Sequence, residues 1–138
     1  MMEFNGLDLL VEKPIDEAAL CRAIAATLGV PEGRVTVIDD ISNYPASEDA
    51  DVVCVVSSVE GEFSLLVSIQ VNKLALPYEN TVALTQCLAE QLSAACLIPD
   101  EDDVDPYNMW LVLPGSEPRR VGVDPVALDQ DRYVISRR

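Results

Sequence analysis

Apolar residues recur along this chain with two periods, and each period marks out an element. Leu20, Cys21, Ile24 and Leu28 repeat at helical spacing and form one stripe of a helix running to about Leu28. Pro14 and Asp16 open that helix, with Asp16 able to cap it, and Gly29 and Pro31 stop it. Its other side is mostly alanine (Ala18, Ala19, Ala25, Ala26) with Arg22, so a second element can approach closely. A second helical stripe, Leu84, Leu88, Leu92 and Ala95, predicts a helix from Pro77 to about Cys96, ended by Pro99. Its wet side is Glu79, Gln86, Glu90 and Ser93.

The second period is two residues. Phe63, Leu65, Val67, Ile69 and Val71 alternate with Ser64, Ser68 and Gln70, and Leu66 is the exception. Together with Asp51–Ser58 this reads as a hairpin turning at Glu60-Gly61. Shorter strands are expected at Leu7–Val11, Arg34–Ile38, about Tyr107–Leu113, Arg120–Val123 and Arg132–Ile135. The polar stretch Asp39–Asp51 reads as a loop, and Pro114-Gly115 as a turn.

The expected order is therefore β-α-β-β-β-α-β-β-β, over one domain spanning residues 1–138. Three strands between two helices argue against a doubly wound parallel sheet. The expectation is an α+β fold: a mostly antiparallel sheet with two helices packed on one face.

Charge changes the picture more than composition does. The chain holds 24 Asp and Glu against 9 Lys and Arg, for a net charge of −15. Between Val35 and Pro118 the sole cation is Lys73, whereas Arg119, Arg120, Arg132, Arg137 and Arg138 cluster near the end. Such a negative field repels phosphate backbones and anionic lipid, so neither nucleic acid nor membrane is an expected partner. A basic protein is attracted, and faster at low salt. The plainer reading of the same charge is a solubilising surface. No signal-peptide pattern and no apolar run approaching the roughly 20 residues of a membrane span is present, which points to the cytoplasm.

Histidine is absent. That removes Ser–His and Cys–His nucleophile pairs, histidine metal clusters and imidazole as a general base. Phosphate-binding and hydrolase motifs rich in glycine are also missing, and the chain has only 6 glycines. The four cysteines (Cys21, Cys54, Cys87, Cys96) show no C-x-x-C spacing and read as reduced core residues. Carboxylate chemistry needs no histidine, but Asp39-Asp40 and Glu60/Glu62 do not look like a buried acid pair. No catalytic residue, cofactor or metal is expected.

One segment combines charge with aromatic rings. Asp100, Glu101, Asp102, Asp103 and Asp105 are followed directly by Tyr107, Asn108, Met109 and Trp110. The acids fail the EF-hand pattern, lacking its glycine and its final glutamate. They read as a solvated loop, as a surface matched to a basic partner with Tyr107 and Trp110 as anchors, or as a non-standard divalent-cation site. If Met109 and Leu111 pack the core, alternation points Trp110 the other way. An exposed Trp110 favours binding, and a buried one weakens it.

These features predict a non-catalytic acidic protein-binding domain, of the inhibitor or immunity type, that neutralises a basic partner. One alternative is an accessory or regulatory domain acting through a homodimer or sheet-face interface. The other is a small carboxylate- or metal-dependent enzyme.

Overall fold

The structure, a computed structural model, describes residues 2–39 and 51–136, apart from the side chain of Asn72. Most of the expected loop over 39–51 therefore falls outside the described residues, as do Arg137 and Arg138.

Strand β1 (Met2–Val11) leads into helix α1 (Glu17–Leu28). Asp16 caps this helix by accepting a hydrogen bond from the Ala19 N–H at 2.8 Å, and Gly29 closes it in the left-handed conformation. A 3-10 turn at Glu32–Arg34 precedes β2 (Val35–Ile38). Strands β3 (Val52–Ser58) and β5 (Leu65–Leu76) form the expected antiparallel hairpin, with Ser58 opposite Leu65. Its connection is longer than a tight turn and contains β4 (Glu60–Gly61). Helix α2 (Thr81–Leu92) follows, capped by Asn80. The remainder is β6 (Cys96–Pro99), β7 (Asn108–Val112), β8 (Arg119–Val123), the single turn α3 (Pro125–Leu128), β9 (Arg132–Tyr133) and β10 (Ile135–Ser136).

Among the described residues eight strands make one sheet in the order β10-β8-β7-β6-β1-β5-β3-β2, and only β2–β3 is parallel within it. The fold is α+β, and α1 and α2 pack together on one face of this sheet. There Leu20, Ile24, Leu28, Leu84, Leu88 and Leu92 meet Val11, Val52, Val67, Ile69 and Val112 in the main core. Among the described residues no helix is long and apolar enough to cross a membrane.

Several expectations are corrected. Helix α2 ends at Leu92, so Cys96 sits on strand β6 and not on a helix. The stop is Ser93, which takes the left-handed conformation (φ 53) usually left to glycine. Phe63 does not share a face with Leu65, Val67 and Ile69; it packs with Leu10, Leu97, Met109, Leu111 and Val123 in a second core on the other face. Arg132–Ile135 is not one strand, because β9 pairs with β4 while β10 pairs with β8. β1 is also longer than the stretch from Leu7, since it continues through a bulge between Phe4 and Gly6.

Candidate functional site

The acidic segment is the connection between β6 and β7, and it is a folded turn held by its own groups. Asp100 Oδ1 accepts from the Asp102 N–H at 3.1 Å, Asp103 Oδ1 from the Asp105 N–H at 2.9 Å, and Asp105 Oδ1 from the Tyr107 N–H at 3.0 Å. The Asn108 side-chain amide donates to Asp103 Oδ2 at 2.8 Å. Backbone bonds from Asp103 N–H to the Asp100 carbonyl and from Asn108 N–H to the Asp105 carbonyl complete it. Short polar side chains bonding to the backbone two residues on are what aspartate does best in turns. These bonds, led by the one from the Asp105 N–H and then that from Asn108, hold the Asp103 carboxyl below its ordinary value.

Asp100 faces inward. Its side chain is 1% exposed, and Arg120 Nε on β8 lies 3.0 Å from its Oδ2. Arg120 reaches it over the ring of Trp110, whose centroid is 5.0 Å from the guanidinium carbon. Register explains this contact, since Trp110 is directly opposite Arg120 across the β7–β8 ladder. Asp100 is thus engaged inside the protein.

Glu101, Asp102 and Asp105 are exposed, and Asp103 is half-buried. Between them Val104 is fully exposed, at 102%. On the helix side, Asp100, Glu101 and Asp102 share a recess of about 300 Å3 with Met2, Trp110 and the first turn of α2 at Asn80–Val82. Helix α2 has no acid in that turn. The neighbouring carboxylates supply negative charge to its positive end.

Trp110 is half-buried against the main core, on the same side as Val112, whereas Met109 and Leu111 face the second core. Alternation thus sorted the side chains correctly, but both faces of β7 are covered. Tyr107 is half-buried beside the second core and lines a recess of about 520 Å3 with Asp105, Asn108, Arg120 and Gly122.

The other candidates stay apart from this segment. Cys54 and Cys96 are buried, which pushes each thiol up to about 12. Cys21 and Cys87 are half-buried; burial also raises the Cys21 thiol. Among the described residues no three His, Cys, Asp or Glu side chains are grouped to hold a metal ion. Glu62 accepts from the Ile135 N–H at 2.6 Å and anchors the chain between β9 and β10. Asp40 of the Asp39-Asp40 pair lies outside the described residues.

Sequence reasoning missed Arg120, which answers the buried acid from 20 positions further along the chain. Its signal was present: the arginine pair Arg119-Arg120 follows, across the Pro114-Gly115 turn, the segment that holds the one tryptophan. Comparison with protein-family models, with curated proteins and with solved structures found no match to this chain.

Proposed function

We propose that this chain is a non-catalytic acidic binding domain that neutralises a basic protein, in the manner of an inhibitor or immunity protein. The β6–β7 turn supports this reading. It is a hydrogen-bonded projection that offers Glu101, Asp102, Asp103 and Asp105 around a fully exposed Val104. A turn already fixed before contact loses little conformational freedom on binding, which favours affinity. Its carboxylates stand where a cationic site on the partner would otherwise hold phosphate oxygens. Asp100 contributes indirectly, by securing the base of the turn through Arg120. Four free cysteines and the lack of a membrane-spanning helix among the described residues accord with a cytoplasmic placement.

The test is capture of a basic protein by the untagged chain from lysate of its own source, followed by association kinetics. Replacing Glu101 and Asp102 with their amides and Val104 with Ser should slow association about tenfold at low salt and flatten its salt dependence. A captured partner that binds this variant as fast as the original would overturn the reading. So would a captured partner that is acidic.

A further inference from the structure

Strand β1 is paired along its length on one side only. Toward β5 its register runs from Met2 opposite Leu76 to Val11 opposite Leu65. Toward β6 it pairs only at Leu10–Leu97 and Val11–Cys96, after which Glu12 N–H donates to the Ala95 carbonyl. Continuing that ladder the other way would set Asp8 opposite Pro99, which has no N–H to give. Beyond Pro99 the chain turns away into the acidic turn. From Met2 to Leu9, no strand among the described residues pairs with the side of β1 that faces β6.

The two strands therefore part, and a recess lies beside the parting on each face of the sheet. On the helix face it is the space of about 300 Å3 bounded by Met2, Trp110 and Asp100–Asp102. On the outer face it is an apolar hollow of about 180 Å3 over Leu10, Leu66, Leu97 and Met109, with Asp8 and Pro99 at its rim. That hollow is of the size that accepts one ring or one aliphatic side chain.

An open strand edge is a template for another strand, and proteins guard it with charge and bulges. β1 carries both, in exposed Glu3 and Asp8 and in the bulge at Gly6. All the guarding charge is negative, so it bars acidic segments and admits basic ones.

We propose that the free edge of β1 takes up an extended basic segment of the partner, which adds as a strand between β1 and the β6–β7 turn. This rests on the reading of that turn as partner-facing, and it gives the partner's contact a form. Backbone hydrogen bonds to β1 supply affinity, and alternate side chains supply selectivity. Side chains on one face of the added strand meet Glu101 and Asp102; those on the other enter the hollow over Leu10 and Met109. The favoured segment alternates basic and apolar residues.

The experiment uses the intact, isotope-labelled protein and a peptide of about eight residues alternating Lys and Val, the span of the free edge at about 3.3 Å per residue. At low salt it should slow amide exchange in β1 between Met2 and Leu9 and shift the Leu10, Leu66 and Met109 signals. N-methylation along one backbone edge of the peptide should weaken binding about tenfold, while methylation along the other edge leaves it unchanged. A Glu–Val peptide should not bind. Equal binding by both methylated peptides, or unprotected β1 amides in a bound complex, overturns the edge and leaves the charged turn as the contact. Absence of binding at about 1 mM overturns it as well. The kinetic test on Glu101 and Asp102 is independent of each of these outcomes.

Discussion

The Arg120 guanidinium spans the face of Trp110 to reach Asp100, a carboxylate that is 1% exposed at the end of β6. One side chain thereby joins β6, β7 and β8 and fixes the root of the acidic turn. Removing one partner of a fully buried ion pair costs about 3–5 kcal/mol. Arg120 is 60% exposed, so water can reach the vacated position and roughly 2 kcal/mol is expected for Arg120→Ala. Asp100→Asn keeps an acceptor for the Asp102 N–H and should cost about 1 kcal/mol. Urea denaturation of the two single variants and the double variant measures the coupling, and a value near zero would show that the contact carries no stability.

Stability should fall steadily on the alkaline side. Burial raises the Cys54 and Cys96 thiols from 9.0 to about 12, and burial followed by its contact with Cys87 raises Tyr78 from 10.0 to about 12. For groups raised on folding, the contribution is complete below the unfolded value and is lost as pH climbs toward the folded one. Each buried thiol then subtracts about 1.4 kcal/mol per pH unit above pH 9. The urea midpoint should drop between pH 8 and pH 11, and Cys96→Ala should shallow that slope while lowering stability at neutral pH. An unchanged slope would mean that Cys96 is not held neutral by burial. At the acid end the sign reverses for Asp103: its lowered carboxyl supports the turn above the ordinary carboxylate range and releases it as pH falls through the folded value.

Gly61→Ala should detach the small β4–β9 pair. Gly61 has φ +107, and a Cβ there would lie 2.5 Å from the Tyr133 carbonyl oxygen and 2.7 Å from its nitrogen. The strain alone costs about 1–3 kcal/mol. Two bonds depend on this junction, Glu62 N–H to the Tyr133 carbonyl at 2.7 Å and Ile135 N–H to the Glu62 carboxylate at 2.6 Å. The variant should bind more of an apolar dye as Phe63 and Leu66 are uncovered, with native Trp110 emission little changed, since that ring lies across the sheet. Wild-type stability in this variant would show the close approach to be relaxed.

Where a single physical signal governed an element, the sequence was readable. Asp16 and Gly29 bracket α1, and alternation from Leu65 to Val71, broken at Leu66 alone, marks the hairpin strand. β6 was illegible because Cys96, Leu97 and Ile98 are all fully buried, and a strand covered on both faces shows no alternation to separate it from a helix. The second core announced itself only as exceptions: Leu10 beside Leu9 and Val11, and Leu66 among serines. At the site, the acids and the tryptophan were visible as neighbours. That Asp100 turns inward was not, because it depends on the β7–β8 register that sets Arg120 across from Trp110.

Of the described strands, the first in sequence order lies in the middle of the sheet, and its partners follow much later in the chain. Leu7 waits for Ile69, and Leu10 waits for Leu97. Closing loops of that length before any pairing is rewarded makes for a slow folder, with β1 and its apolar residues open to mispairing in the interval. A chain cut before Cys96 would hold α1, α2 and the hairpin yet leave β1 without β6. Such fragments should aggregate where residues 1–138 together do not.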